Sequence, residues 1–358
     1  MPNAQAWLQP CLHPVYARLL CAELRRAGFD QQQILAGTRL DWAALHGDNR
    51  FLSFAQLRRL VLRGLELSQC PWLGLRVGAS TQLATHGALG VLAMASPNVA
   101  QALLAVQRFS SLRENLASFS IEPGEGLTLC LQEQQHLQCD EIREYVLGHL
   151  LAGMLNLLQT ISGQALQGHV RIRWPFAEPA WAQAYRQLYP LSSFDAPQLQ
   201  VQLPLSLLDC PSLASDAEAQ RLALRDCEHQ LKQLQGGSLS QRIQQRLLAC
   251  NGHYPSLEQL AGEEHVAPRT LIRHLREEGV NYQQLLDGVR EELACWLLLH
   301  TPLTVEAIAE RLGYQDTSNF SRTFRRWLGI TPRTFREQPP AALPVLPGAT
   351  TAVPPPGA

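Results

Sequence analysis

At 358 residues and 39.8 kDa the chain exceeds one ordinary domain, and with 46% apolar residues it holds enough core for two, which excludes wholesale disorder. Thirty basic against 31 acidic residues give a net charge of −1, so composition alone points to no nucleic-acid partner, and any such function must come from where the charges sit. No apolar run approaches a membrane span of ~18 residues, no secretory signal opens the chain, and nine cysteines lack any CxxC pair; a cytoplasmic protein with reduced thiols and no membrane partner is expected.

In chain order, residues 1–12 read as a flexible N-terminus and 13–235 as one mixed α+β domain. Helical periodicity covers about 14–27, 53–67, 97–113 and 142–161, and β-like runs cover 116–121, 127–132, 169–174 and 198–203. The first two runs flank the turn residues Pro123-Gly124-Glu125-Gly126. A further helical stretch from about Ser215 to Gln235 ends at Gly236-Gly237-Ser238, so 236–239 reads as a linker. From 240 to 338 the apolar spacing is helical throughout. The segment 339–358 has seven Pro in twenty residues and no charge, the composition of a disordered tail.

The block 240–338 contains an internal repeat. Ser256, Glu258, Leu260 and Ala261 recur 48 positions later as Thr304, Glu306, Ile308 and Ala309, and Leu271, Arg273, Leu275 and Arg276 recur 49 later as Phe320, Arg322, Phe324 and Arg325. Each copy, about 256–279 and 304–328, reads as a capped short helix, a turn and a second helix opening at Pro268 or Asp316. That is the layout of a helix-turn-helix, whose second helix enters a DNA major groove. Leu271 and Leu275 share one face of the first reading helix and Arg269, Ile272, Arg273 and Arg276 the other. In the second, Phe320, Phe324, Trp327 and Leu328 form the apolar stripe and leave Thr317, Ser318, Asn319, Arg322 and Arg326 outward.

Charge is concentrated on these helices. Segments 266–276 and 317–336 hold three and five Arg with no acid, although 238–338 as a whole balances at 12 against 12. Arg and Asn side chains can fork onto guanine and adenine edges, and Ile272 offers an apolar contact. Between the copies, 281–300 has helical spacing, and twenty helical residues span roughly 30 Å. Successive major grooves on one DNA face lie about 34 Å apart, so a rigid spacer of this length suits two reading helices. The competing reading is a structural αα repeat with an Arg-rich solvated surface.

The segment V-A-P-R-T-L-I-R-H-L-R-E-E-G (266–279), together with I-A-E-R-L-G-Y-Q-D-T-S-N-F-S-R-T-F-R-R-W-L-G-I-T-P-R-T-F-R (308–336), resembles the AraC/XylS family of bacterial transcription regulators. The resemblance implies a sequence-specific regulator, commonly an activator, with promoter DNA and RNA polymerase as partners. By position, Arg269, Ile272, Arg273, Thr317, Ser318, Asn319 and Arg322 would face bases. Thr270, Arg276, Arg325, Arg326 and Arg333 would face phosphates. His274 and Ile272 depart from the basic and polar residues usual at their places. The segments 86–103 and 194–211 resemble the arabinose-binding-like sensor domain of a subgroup that includes ornithine and virulence regulators. This implies a small-molecule effector of unknown identity, or dimerisation, and assigns no ligand-contacting residue.

No GxSxG, HExxH, Walker loop or complete GxGxxG is present, so no catalytic residue, cofactor or metal is expected. His136-x-x-Cys139 is an isolated pair, and His86 and His149 read as packing or surface residues. Pro10-Cys11-Leu12-His13 bears a faint likeness to the methyl-accepting site of alkylation-response regulators. The alternative function is therefore a DNA-tethered enzyme or alkyl acceptor.

Overall fold

The computed structural model describes residues 7–337, less positions 39, 48–50, 124–126, 136, 138–140 and 251. Strand β1 (Pro10–Leu12) leads into helix α1 (Pro14–Arg26), which is capped by His13 and has Pro at its first position. Short helices α2 (Gln31–Leu35) and α3 (Trp42–Gly47) precede strand β2 (Leu52–Ser53), which pairs antiparallel with β1. Ser53 forms a capping box with Gln56 to start α4 (Phe54–Ser68), and α5 (Leu73–Ala79), α6 (Gly87–Ala95) and α7 (Val99–Phe109) follow.

Strands β3 (Ala117–Pro123) and β4 (Leu127–Glu133) form an in-register hairpin whose tip, 124–126, lies outside the described residues. After α8 (Arg143–Ser162) come β5 (Arg171–Arg173), α9 (Ala182–Leu188), β6 (Ser192–Ser193) and β7 (Leu199–Leu203). The sheet order is β3-β4-β7-β5-β6, antiparallel except for the parallel β5–β6 pair. Alternation puts Leu127, Leu129 and Leu131 of β4 and Leu199, Val201 and Leu203 of β7 on one buried face. There they join Leu147, Leu151, Leu155 and Leu158 of α8 in one apolar cluster. The first part of the chain is thus mixed α and β.

The second part is helical: α10 (Ala217–Gly236), α11 (Leu239–Leu248), α12 (Leu257–Glu263), α13 (Pro268–Glu277), α14 (Tyr282–His300), α15 (Val305–Arg311), α16 (Thr317–Leu328) and α17 (Pro332–Glu337), with no strand among its described residues. Helix α10 runs through Gly236, and the break is made by Gly237 at φ 63° and the Ser238 cap of α11.

One expectation fails. Residues 7–12 do not form a loose arm: Leu8, Cys11 and Leu12 are buried, β1 pairs with β2, and Trp7 packs its ring against Phe54 and against His300 at the end of α14. Arg59 pairs with Glu292 of α14 at 3.7 Å, and one apolar cluster runs from Trp7 and Phe54 through to Trp296 and Phe324. The tail from 339, His136 and Cys139 lie outside the described residues.

Candidate nucleic-acid interface and effector cavity

Each helix-turn-helix is built by short-range chemistry. In the first unit Ser256 Oγ accepts from Gln259 N while Gln259 Oε1 accepts from Ser256 N, which starts α12. The turn closes with Val266 N donating to Ala261 O across His265, which sits in the left-handed region at φ 55°. In the second unit Thr304 caps α15, Tyr314 N donates to Ala309 O, and the left-handed position is Gly313 at φ 75°. Asp316 then caps α16 by accepting from Asn319 N at 2.6 Å. Leu271, Leu275, Phe320 and Phe324 are buried, as the stripes require, and Trp327 and Leu328 are half-buried.

The opposite faces are open. Arg269, Ile272, Arg273 and Arg276 are exposed on α13, and Ser318, Asn319, Arg322, Arg325 and Arg326 on α16; Thr270 and Thr317 are half-buried, and Arg333 is exposed on α17. Ile272 keeps 43% of its surface, unusual for an isoleucine with an apolar face available beside it. Ion pairing on the two reading helices is loose: Arg273–Glu277 spans 3.7 Å and Arg326–Asp287 3.9 Å, both between well-exposed Arg side chains and acids in the same block, whereas Arg333 on α17 pairs closely with Glu337 at 2.8 Å. Arg336, the fifth Arg of the acid-free run, turns inward and donates to Leu298 O of α14. It anchors α17 to the spacer instead of facing outward.

The spacer helix also fixes the two units to each other. Arg290 of α14 lies over Tyr254, ahead of the first unit, at 4.7 Å and over Tyr314, in the turn of the second, at 5.1 Å. Glu278, just past α13, accepts from Leu239 N and Ser240 N at 3.0 Å each and so caps α11.

Sequence reasoning missed a second feature, a cavity of about 100 Å³ between α1, α6, α8 and the β3–β4 hairpin. Its wall is mostly apolar, including Leu89, Val106, Phe119, Leu131, Leu150 and Leu157, with Tyr16, His86, Arg113, Glu114 and His149 as the ionisable groups. Tyr16 Oη and His86 Nδ1 share a hydrogen bond of 2.8 Å. Arg113 Nε donates to His86 O, and its guanidinium occupies the space that a Cβ on Gly87 would fill. Burial, then the Arg113 charge, lowers His86 to about 4, and burial, then His86, lowers His149 to about 4. Burial pushes Glu114 up to about 7 against two backbone donors, Leu116 N and Ala117 N, on its Oε2. His86, Gly87, Leu89 and Gly90 all fall in the resemblance segment 86–103; a His-Gly pair followed by an apolar helix was the available signal.

Cys11 does not suit alkyl transfer. It is 4% exposed, and burial, then the Glu114 carboxylate, raises its thiol well above the usual range, the reverse of what a reactive thiolate needs. Among the described residues no group of three or more His, Cys, Asp or Glu is set to hold a metal, and no helix is long and apolar enough to cross a membrane.

Comparison with known proteins agrees with this arrangement. Residues 28–212 match the model of the arabinose-binding domain of AraC transcription regulators, and 260–338 match a helix-turn-helix domain. The chain is 30% identical to the ornithine utilization regulator of Pseudomonas aeruginosa, covering 90% of this chain and 96% of that protein. It is 24% identical to the regulator VirS of Mycobacterium tuberculosis over 87% and 92% of the two chains. The crystal structure of the transcriptional regulator CdpR from P. aeruginosa aligns over 90% of this chain and 98% of that one, at 25% identity and a TM-score of 0.47. A mixed α/β domain followed by paired helix-turn-helix units, with these matches across both parts, makes the chain a DNA-binding transcription regulator of the AraC family.

Proposed function

We propose that the protein is an effector-responsive activator that reads two adjacent major grooves of promoter DNA. Arg269, Ile272 and Arg273 contact bases in the first groove, and Thr317, Ser318, Asn319 and Arg322 in the second. Arg276, Arg325, Arg326 and Arg333 neutralise phosphates, which makes binding salt-dependent, and the Thr270 hydroxyl donates a hydrogen bond to a phosphate. The observation that carries this reading is the pairing of two exposed, arginine-bearing helix faces with a single spacer helix that holds both units through Arg290. RNA polymerase beside the second unit is the partner for activation, and self-association places two such modules on one promoter.

Support for an effector comes from the match to an arabinose-binding domain and from the largely apolar cavity beneath α6. Helix α6 packs against α10, which leads directly into α11 of the DNA-binding part. The test is genome-wide footprinting with and without a panel of candidate metabolites. Two protected major-groove patches per site, altered by at least one metabolite, are expected. A footprint indifferent to every metabolite would reduce the N-terminal domain to dimerisation, and no sequence-specific footprint would remove the reading altogether.

A further inference from the structure

Two neighbouring residues of the cavity wall, a guanidinium and a carboxyl, form no ion pair with one another. Arg113 is half-buried and its Nε donates to His86 O; among the described residues its side chain makes no other hydrogen bond and no ion pair. Glu114 has both backbone donors on Oε2, and among the described residues no ion pair to it is formed. The chain bridges β1 here, with His13 N donating to Arg113 O and Asn115 N to Cys11 O, and this pairing sets both residues at the cavity wall. Tyr16 lies within reach of both: burial raises its hydroxyl, the guanidinium pulls it down and the carboxylate pushes it up. Glu114 is half-buried and lines the cavity.

A third group is also unsatisfied. His149 is 6% exposed, lines the same cavity, and its Nδ1 has no hydrogen-bond partner. It is held there by the close approach of α5 to α8, where a Cβ on Gly78 would fall 2.4 Å from His149 O. A buried imidazole nitrogen without a partner is costly unless something else completes it.

We propose that this cavity binds a small zwitterion with an apolar body, an apolar amino acid in chemical class. Its ammonium group pairs with Glu114, its carboxylate pairs with Arg113, and its side chain lies against Leu89, Val106, Leu131 and Leu157. The uncharged wall excludes strongly polar bodies, and the balanced charge of the two polar groups disfavours ligands carrying one charge only. This assignment rests on the effector-responsive reading above and names the chemistry of its ligand. Because His86, Leu89 and Gly90 belong to the α6 wall and Arg113 feels Asp226 and Cys227 of α10, occupancy bears on the helix that enters the DNA-binding part.

The test is isothermal titration calorimetry of the full chain with L-valine, L-leucine, L-norleucine and L-phenylalanine, each beside its decarboxylated amine and its deaminated acid. At least one amino acid should bind ~10–100-fold tighter than both of its singly charged relatives, the loss expected for a missing charged hydrogen bond. Glu114→Gln, which keeps an acceptor for Leu116 and Ala117, should erase the advantage over the acid while leaving the acid's affinity unchanged or improved. Arg113→Gln should erase the advantage over the amine; should that variant fail to fold, Glu114→Gln alone decides. Amines or acids binding as well as the amino acids, or no binding in any series, would overturn the assignment. A chain that protects an operator and answers to a different class of metabolite would keep the regulator reading and lose this one. A chain without an operator would lose the regulator reading whatever the calorimetry gives.

Discussion

In the second helix-turn-helix unit the left-handed position of the turn is glycine and the reading helix starts from an Asp316 cap, whereas the first unit has His265 and Ala267 at the matching places and Ala267 makes no side-chain cap bond. The cores differ likewise. Tyr314, Phe320, Phe324 and Phe335 pack tilted or edge-on at centroid distances of 5.4 to 5.7 Å in the second unit, while Leu271 and Leu275 fill the positions of Phe320 and Phe324 in the first. One spacing pattern thus supports two units of unequal construction. The second combines aromatic burial with a strain-free turn; the first leans on its neighbours, notably the Glu278 cap onto α11.

That asymmetry can be broken at its core first. Phe324→Ala should cost about 3–5 kcal/mol by leaving a large cavity, and Leu275→Ala about 2–5 kcal/mol, both read from urea unfolding. An unchanged unfolding midpoint for Phe324→Ala would contradict its place in the core. At the reading faces, Arg322→Ala and Arg273→Ala should each weaken operator binding by about 1–3 kcal/mol and relax selectivity locally. Equal losses on all DNA sequences would reassign these residues to phosphate. At the caps, Asp316→Ala should cost about 1 kcal/mol and Ala267→Ser should recover a similar amount in the weaker unit. Thermal melts that rank these two alike in sign would dissolve the contrast. Smallest of all, His265→Gly should stabilise by up to ~1 kcal/mol by relieving the left-handed strain, where no gain would mean that the His265 side chain compensates through its contacts.

The N-terminal domain responds to acid in a different way from these local features. His13, His86 and His149, each lowered from 6.5 to about 4, contribute stability that is present above pH 6.5 and lost as pH falls through about 4. Glu114, raised to about 7 from 4.5, works in the opposite sense: its contribution is full below pH 4.5 and is lost as pH rises through about 7. Three imidazoles outweigh one carboxyl, so the melting temperature should fall between pH 6.5 and 5, and fall more steeply in Glu114→Gln. A flat profile in both proteins would contradict the buried placement of these groups.

Legibility followed the range of the interactions. Ser256 with Gln259, Asn281, Thr304 and Asp316 are caps whose donors lie within three residues, so they can be read directly, and the long amphipathic helices α1, α4, α8 and α14 announce themselves by period. The helices α2, α3, α5, α6 and α9, of five to nine residues, are too short for a period to show. The cavity was invisible for a stronger reason. Tyr16, His86, Arg113 and His149 meet only after β1 pairs beside Glu114 and α5 closes on α8, and no local pattern encodes that meeting. Trp7 misled because its partners, Phe54 and His300, lie 47 and 293 positions away.

Operator reading by this chain requires both reading helices to meet one side of a duplex. Hydroxyl-radical and methylation-interference footprinting of the full chain on a genomic operator measures this directly. Two protected major-groove patches about 10–10.5 base pairs apart, the upstream or downstream one lost selectively with Arg273→Ala and the other with Arg322→Ala, is the predicted result. A single patch, or two on opposite sides of the duplex, would contradict it.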